Sequence, residues 1–297
     1  MTGQAQQEFG QPRRISRATS GPTPEAIGRA ATLALRDELV LSPKPGLVTL
    51  TSCGSHGDMD AYTFMRSLLA LRGYFVDIAT AGLELAPFSR LEGLGIEAEA
   101  RMLRATGGVN THRGAIFQLG LLCAAAGAAL SLARPLTPGT LRRTLTERWG
   151  AALTERASRP SSLPGGIAAR KLGLRSASEE AAFGFPVVFG VAVPAMRAAL
   201  TKGLPLPMAQ LDTLFRIIAV LEDSNVAHRG GLQGLQFAQQ AAQAFLERGG
   251  VERPDGIEVA AQIGEAFVAR RLSPGGAADM LSSACWLQRM GALHEIE

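Results

Sequence analysis

Apolar residues recur at intervals of three and four along most of the chain, the spacing that places them on one face of an α-helix. The first such run follows Thr23-Pro24-Glu25, where a hydroxyl residue, a proline and an acid mark a helix start. This helix should end near Leu41, because residues 42–46 contain two prolines and a glycine.

The same pattern predicts helices along the rest of the chain. Their approximate ranges are 60–81, 93–105, 115–133, 137–153, 208–222, 232–247 and 255–272, with a last helix after residue 274. Residues 187–193 resemble a strand when taken alone. No second run of this kind is present to pair with them, so we predict a helix from Pro186. Residues 155–180 are polar and contain prolines and glycines, which indicates a mobile flap or a long connection.

These elements predict an all-α fold, a single globular domain over residues 23–297 with roughly ten helices around a central buried helix. The chain has 297 residues, of which 46% are hydrophobic, and can bury a large core. The central helix, 115–133, approaches the length of a membrane span. Much of it is Ala and Gly, and His112 and Arg113 stand directly before it. We therefore predict a buried core helix and no membrane association.

The charge pattern is mildly basic, with a net charge of +4. The basic residues are scattered and are not interleaved with aromatics, so a nucleic-acid partner is not expected. A pocket for a polyanionic small molecule accounts for the charge equally well. The three cysteines lie far apart, which argues against disulfides and a cysteine zinc site and fits a cytoplasmic protein. Residues 1–22 lack an apolar signal core and are predicted to be a disordered tail.

Four polar clusters lie at predicted helix boundaries and contain three of the four histidines. They span residues 44–60, 107–113, 223–231 and 273–279. No nucleophilic triad, P-loop or dinucleotide-binding glycine motif accompanies them. Phosphate binding must therefore depend on helix N-termini, on Lys44, Arg113 and Arg229, and on a metal ion.

The second cluster, Gly107-Gly108-Val109-Asn110-Thr111-His112-Arg113-Gly114, stands directly before the central helix. Glycines allow backbone N–H groups to approach a ligand closely, and a helix N-terminus favours anions. Arg113 would add a fork of donors for phosphate oxygens. The alternative interpretation is a glycine-rich turn that caps a buried helix.

The first cluster ends in His56-Gly57-Asp58-Met59-Asp60, which puts two carboxylates close to an imidazole. Proteins commonly bind Mg²⁺ through one or two carboxylates together with substrate phosphates. In the alternative interpretation, Asp58 is a helix cap and Asp60 is a first-turn acid that the helix dipole stabilises.

The third cluster begins with Asp223, at the predicted end of an apolar helix. A carboxylate is unfavourable beside the negative end of a helix dipole. Asp223 is therefore expected to have a partner, such as Mg²⁺, His228 or Arg229. In the fourth cluster, Asp279 is either another metal ligand or a helix cap.

The clusters resemble the signature segments of the triphosphoribosyl-dephospho-CoA synthase family and follow in that family's order. The matching segments are 42–48, 56–60, 106–114, 223–225 with 228–231, and 273–276. The resemblance covers about residues 25–290, and Cys53-Gly54-Ser55 and Ala277 are mild departures from it.

The resemblance implies an enzyme that transfers the triphosphoribosyl group of ATP to the ribose 2′-hydroxyl of 3′-dephospho-CoA and releases adenine. The product would pass to a holo-acyl-carrier-protein synthase, as the prosthetic-group precursor for citrate lyase or malonate decarboxylase. Cleavage of an N-glycosidic bond builds positive charge on the ribose, which a carboxylate can stabilise. The mechanistic hypothesis is a direct displacement with inversion.

On this hypothesis Asp58, Asp223 and His112 are catalytic, and Asp58, Asp60 and Asp223 bind Mg²⁺. The expected substrate-binding residues are Lys44, His56, Gly107, Gly108, Asn110, Thr111, Arg113, Asn225, His228 and Arg229. Two alternatives stay open. One is a metal-dependent hydrolase of a phosphoester or N-ribosyl bond, with His56, Asp58 and Asp223 as metal ligands. The other is a nucleotide-binding subunit without catalytic activity.

Overall fold

Helices make up all the regular secondary structure of residues 21–294, the part of the chain that the computed structural model describes. The α-helices are α1 (Pro24–Val40), α2 (Ala61–Leu83), α3 (Phe88–Thr106), α4 (Arg113–Ser131), α5 (Pro138–Ser158), α6 (Pro164–Leu172), α7 (Ala177–Ala182), α8 (Val193–Thr201), α9 (Leu206–Val220), α10 (Ser224–Glu247), α11 (Gly256–Ala269) and α12 (Gly275–Arg289). A π-helical segment, Val188–Ala192, leads into α8, and a short 3-10 helix, Gly250–Glu252, precedes α11. The predicted all-α class is confirmed.

Side-chain caps set the starts of several helices. The Thr23 hydroxyl accepts a hydrogen bond from the backbone N–H of Ala26 at 3.3 Å, and α1 ends at Val40, just before the proline-containing turn. Thr137 caps α5 in the same way through the N–H of Thr140, at 3.2 Å. Both starts agree with the sequence prediction, because the cap and the following proline are local signals.

The central helix is α4, and it packs against α1, α2, α3, α5 and α12. Its contact with α2 is a backbone contact, since a Cβ atom on Gly82 would overlap the carbonyl oxygen of Ala124. In the same way, a Cβ atom on Gly127 would overlap the carbonyl oxygen of Ala79. Near their C-terminal ends the two helices therefore lie as close together as their main chains allow.

Among residues 21–294, α4 is also the one helix that is long and apolar enough to cross a membrane, with a mean hydropathy of 1.7. However, 78% of that stretch is buried inside the protein by the surrounding helices. This burial is expected of a core helix, as the sequence analysis predicted.

Residues 155–180 and the segment around Pro186 differ in how well they agree with the sequence prediction. The segment 155–180 was predicted to be a flap or a long connection, and this was wrong in part, because it contains the short helices α6 and α7. The Ser176 and Glu179 side chains form a capping box at the start of α7, a local signal that the sequence analysis missed. Around Pro186 the prediction of a helix instead of a strand is confirmed.

Buried apolar side chains of the described residues form one contiguous core. The predicted disordered tail, residues 1–22, lies outside the described residues except for Gly21 and Pro22. The boundaries of the predicted domain, 23–297, therefore stay a prediction.

Candidate active site

A cleft of about 1190 Å³ opens where the starts of α4, α10 and α12 meet the loop that precedes α2. Side chains from residues 156–180 also line it. Small-molecule pockets are usually about 300–1,000 Å³ in volume, so this cleft is slightly larger than most of them. Each of the four polar clusters contributes residues to its lining, which brings together segments that are far apart in the sequence.

At one side of the cleft, His56, Arg229 and Ser273 are joined by hydrogen bonds. Arg229 donates to Nδ1 of His56 at 3.1 Å and to the carbonyl oxygen of Ser55 at 3.0 Å. Because Nδ1 accepts this bond, the ring proton lies on Nε2, which is 2.9 Å from the hydroxyl oxygen of Ser273. Burial, reinforced by the charge of Arg229, lowers the pKa of His56 against the opposing effect of Asp58. The imidazole is therefore a neutral link between α10 and the turn before α12.

Asp223 is buried between two helix starts. Its Oδ1 accepts hydrogen bonds from the N–H groups of Asn225 and Val226, and its Oδ2 accepts one from Ala277 at 3.0 Å. The expectation that Asp223 lies beside the negative end of a helix was wrong, because α9 already ends at Val220 and Asp223 caps α10. The carboxylate therefore lies at two positive helix ends. Burial raises its pKa, while the backbone N–H donors oppose this shift.

Asp279 lies on α12 and directs its carboxylate at the start of α4. A Cβ atom on Gly114 would overlap Oδ2 of Asp279, so the approach requires a glycine at this position. The N–H of Ala115 contributes a hydrogen bond that lowers the pKa of Asp279. Burial, together with the negative charges of Glu38 and Asp223, outweighs this bond and raises the pKa well above its ordinary value of 3.8. The cleft therefore contains a carboxyl group that tends to hold its proton.

Lys44 does not present its ammonium group to the cleft, contrary to the expectation that it binds phosphate. Its side chain is fully buried, and Nζ contacts Oε1 of Glu38 at 2.5 Å and the Glu38 carbonyl oxygen at 2.6 Å. Burial lowers the pKa of Lys44, and Glu38 opposes this shift. The loop after α1 folds back on that helix, so the lysine neutralises a buried acid instead of facing solvent.

His112 and Thr111 stand where the chain enters α4. His112 is buried, and its Nδ1 lies 2.6 Å from the hydroxyl oxygen of Ser67 on α2. Burial, and to a lesser degree the charge of Lys44, lowers the pKa of His112 to about 3. The imidazole is therefore neutral at physiological pH. Its Nε2 and the hydroxyl of Thr111 are buried without hydrogen-bond partners.

Arg113 and Asn110 form the adjoining part of the cleft lining. The guanidinium of Arg113 pairs with Glu99 on α3, with Nε 2.7 Å from Oε1. The side-chain oxygen of Asn110 accepts a hydrogen bond from the N–H of Arg113 at 3.2 Å. Asn110 thus supports the first turn of α4, and Glu99 holds the arginine at the cleft surface.

A protein-family model describing ATP:dephospho-CoA triphosphoribosyl transferase, the CitG family, matches residues 24–297. The chain belongs to this family. The members transfer a triphosphoribosyl group from ATP to dephospho-CoA, so the cleft of this transferase is a candidate site for both substrates. No solved structure matches the chain.

Most of the residues predicted for the active site of the transferase line the cleft. Those that do are His56, Asp58, Asn110, Thr111, His112, Arg113, Asp223, Asn225, His228 and Arg229. Four predicted residues do not line it, namely Lys44, Asp60, Gly107 and Gly108. Other residues of the same chain segments do line the cleft.

Local backbone structure explains why three of these four residues do not line the cleft. Asp60 caps α2, with Oδ1 accepting from the N–H of Thr63 at 2.8 Å, so its carboxylate is directed at the helix start. Gly107 and Gly108 end α3 with φ angles of 71° and 92°, a region that favours glycine. Their role is the helix-capping turn that the sequence analysis kept as an alternative.

The predicted three-carboxylate Mg²⁺ site is not assembled. Among residues 21–294, no three His, Cys, Asp or Glu side chains are grouped so that they could hold a metal ion. Asp58 is largely exposed, Asp60 caps a helix, and both oxygens of Asp223 accept backbone hydrogen bonds. These residues therefore do not fit a metal ion held by the transferase alone.

Glu38, which was not among the predicted site residues, lines the cleft of the transferase and raises the pKa of Asp279. A signal for it exists in the sequence. Ile27, Ala31, Ala34, Glu38 and Leu41 follow each other at intervals of four and three, so this acid occupies an apolar position of α1. A charged residue at such a position is rarely buried unless it is paired.

Proposed function

We propose that this chain transfers the triphosphoribosyl group of ATP to the ribose 2′-hydroxyl of 3′-dephospho-CoA and releases adenine. The observation that carries the proposal is a large cleft in which carboxyl, imidazole and guanidinium groups from four distant segments meet. Membership of a family that acts on this pair of substrates supports the assignment of triphosphoribosyl transfer to that cleft.

In the proposed reaction, the bond between the anomeric carbon and N9 of adenine breaks, and its electron pair leaves on the base. The 2′-oxygen of dephospho-CoA forms the new bond to the same carbon, with inversion. The hydroxyl proton leaves the oxygen and the departing adenine gains a proton, so no other reactant is needed. Positive charge on the ribose carbon develops between these events, as in glycoside cleavage.

Carboxyl groups of the cleft are suited to the proton transfers and to this charge. We assign proton transfer to Asp279, because its raised pKa brings the exchange of its proton closer to physiological pH than for an ordinary aspartate. Asp223 remains a candidate for stabilising positive charge, although its main contacts are with two helix starts. Arg229, Arg113 and His228 are the candidates for binding phosphates, since all three line the cleft.

Mg²⁺ is proposed as part of the ATP substrate, since nucleoside triphosphates usually carry it and protein ligands to it are few. Asp58 is the carboxylate available to contact it, being largely exposed at the cleft beside His56. The ion would neutralise triphosphate charge.

The product is proposed to be the prosthetic-group precursor of an acyl carrier protein, of either malonate decarboxylase or citrate lyase, and a holo-acyl-carrier-protein synthase would use it next. A cytoplasmic location fits the widely separated cysteines, none of which is in a disulfide among the described residues. No nucleic-acid or membrane partner is proposed.

Two alternatives predict different products. A hydrolase on this scaffold would release adenine or phosphate from ATP with water alone, and a nucleotide-binding subunit would bind ATP without turnover. The decisive experiment incubates the protein with ATP and Mg²⁺, with and without dephospho-CoA, and follows adenine and the coupled product by mass spectrometry. We expect equimolar adenine and coupled product only when dephospho-CoA is present. Adenine release without dephospho-CoA, or no turnover with it, would refute the proposal.

A further inference from the structure

Three buried side-chain atoms of the cleft lining lack hydrogen-bond partners. One is Nε of Arg156, whose guanidinium pairs with Glu92 through Nη1. The other two are Oγ1 of Thr111 and Nε2 of His112. They belong to neighbouring residues at the start of α4, and both residues line the cleft. Outside the cleft lining, the described residues contain further such side-chain atoms only in Arg101. Because buried polar atoms are nearly always paired in folded proteins, two orphans side by side in a cleft mark a place where a ligand supplies the partners.

The hydrogen bond at the other ring nitrogen determines what Nε2 offers. Ser67 is fully buried, and within residues 21–294 its hydroxyl makes no hydrogen bond other than the one to Nδ1 of His112. If Nδ1 carried the ring proton, the hydroxyl hydrogen of Ser67 would be buried without an acceptor, at a cost of about 1–3 kcal/mol. The hydrogen-bond network therefore assigns Ser67 as donor to Nδ1 and leaves the ring proton on Nε2.

His112 thus presents a neutral N–H donor to the cleft. Burial, followed by the charge of Lys44, lowers the pKa of this imidazole to about 3, so a second proton is not available at physiological pH. A neutral imidazole of this kind can polarise an acceptor atom by a hydrogen bond without giving up its proton.

The surroundings favour a flat, neutral ring over a phosphate. The Phe64 ring meets the His112 ring edge to face with 4.9 Å between centroids. Leu47, Val48 and Ile116 line the same cleft. A phosphate placed against these apolar groups would lose hydration, whereas a heteroaromatic base can bury its faces against them and pair its edge. Arg113, the next residue in the chain, is paired with Glu99 at the cleft surface. Adenine offers ring nitrogens that accept from an N–H and an exocyclic amine that donates to a hydroxyl oxygen.

We infer that Thr111 and His112 form the subsite for the adenine ring of ATP, with Nε2–H of His112 donating to a ring nitrogen and Ser67 fixing the imidazole tautomer. This inference rests on the proposed function and deepens it. When the bond to the ribose breaks, negative charge collects on the base, so a hydrogen bond to a ring nitrogen is stronger in the transition state than in the bound substrate. His112 is then a catalytic residue, and Ser67 is a positioning residue.

The first test reads the tautomer directly by long-range proton–nitrogen NMR of the protein labelled with ¹⁵N-histidine. With four histidines in the chain, a His112→Gln variant assigns the signal. We expect an unprotonated Nδ1 and a protonated Nε2 in the free enzyme, and a mixture of tautomers in Ser67→Ala. A protonated Nδ1 in the wild type, or an unchanged spectrum in Ser67→Ala, would overturn the assignment.

The second test determines which part of ATP binds beside His112. ATP without dephospho-CoA should shift the His112 Nε2 signal, while inorganic triphosphate at equal saturation should leave it in place. Equal shifts from both, or none from ATP, would contradict an adenine subsite. If ATP shifts the signal but no coupled product forms with dephospho-CoA, the proposed function fails while the adenine subsite stands. The two failures are therefore distinguishable.

Kinetic variants complete the test. Ser67→Ala should lower kcat about tenfold with little change in KM for dephospho-CoA, and Thr111→Val should raise KM for ATP about tenfold, since one hydrogen bond is lost in each. Thr111→Ser keeps the hydroxyl group and should therefore restore the wild-type KM for ATP. Thr213→Val is the control, because it removes a buried hydroxyl from α9 outside the cleft. An equal decrease of kcat in Thr213→Val and Ser67→Ala would indicate a purely structural effect and would overturn the positioning role of Ser67.

Discussion

Asp223 at the start of α10 accepts a hydrogen bond at 3.0 Å from the backbone N–H of Ala277, which follows it by 54 residues at the start of α12. Its other oxygen accepts from Asn225 at 2.8 Å. One buried carboxylate therefore serves two helix N-termini at once. Since both helix starts line the cleft, this carboxylate sets the distance between two parts of the candidate active site.

Asp223→Ala is expected to destabilise the protein by roughly 1–3 kcal/mol, because it leaves several buried backbone donors without an acceptor. Chemical denaturation measures this effect, and adenine release should fall with it. Asp255→Asn is the control, since Asp255 is the N-cap residue of α11 but its side chain makes no capping hydrogen bond. Equal unfolding midpoints for the wild type and Asp223→Ala would show that the two-helix link is unimportant.

Asp279→Asn should reduce adenine release by about two orders of magnitude, because the amide cannot exchange the proton that we assign to this carboxyl group. The same substitution should make stability less dependent on pH. Burial, with Glu38 and Asp223 nearby, raises the pKa of Asp279, so the folded protein binds this proton more tightly than the unfolded chain. The contribution of Asp279 to folding stability is greatest below the pKa that its carboxyl group has in the unfolded chain. It is lost as the pH rises through the raised pKa of the folded protein.

Denaturation of the wild type and of Asp279→Asn, from about pH 4 to about pH 8, measures this contribution as the difference between the two proteins. We expect the variant to gain stability relative to the wild type as the pH rises. A constant difference across the range would contradict the raised pKa, and full activity of the variant would contradict the proton-transfer role.

Gly114→Ala should lower activity without changing any charge. The added methyl group would overlap Oδ2 of Asp279 and force the carboxylate away from the start of α4. Gly73→Ala is the matched control, because a methyl group there meets nothing within 4 Å and alanine favours the helix by about 0.5–1 kcal/mol. Equal activity of both variants would argue against a role for the position of the Asp279 carboxylate.

Arg229→Gln should raise KM for the anionic substrates about tenfold, through loss of a charge-assisted hydrogen bond. It should also raise the pKa of His56, because the charge of Arg229 helps burial to lower it. NMR titration of His56 and steady-state kinetics measure the two effects. Arg248→Gln provides the control, as Arg248 is exposed and outside the cleft. An unshifted His56 would contradict the observed contact.

The helices were predictable because their signals are local. Thr23-Pro24 and Thr137-Pro138 begin helices in the structure as the capping rule requires, and the apolar spacing supplies the rest. Asp223 shows where this reasoning fails. A helix boundary shifted by two residues moved its carboxylate from the negative end of α9 to the positive end of α10. Such errors reverse an electrostatic argument while leaving the secondary structure nearly correct.

The convergence of the polar clusters on one cleft was predictable, but the contacts inside it were not. Lys44 illustrates the reason, because whether its ammonium faces solvent or Glu38 depends on how the loop folds back on α1. Asp279 could be named as a ligand or a cap, yet its closeness to Gly114 depends on the packing of α12 on α4. Distances between separate helices are set by the core, and no local pattern encodes them.

The glycine contact between α2 and α4 has a consequence for the energetics of substrate binding. Gly82 and Gly127 let the two main chains touch, and near the other end of the pair Ser67 is linked to His112. The imidazole proposed to meet the base is thus held before any nucleotide arrives. Association then involves little loss of conformational entropy at this point, so a larger share of the contact energy is available to discriminate adenosine from other nucleosides.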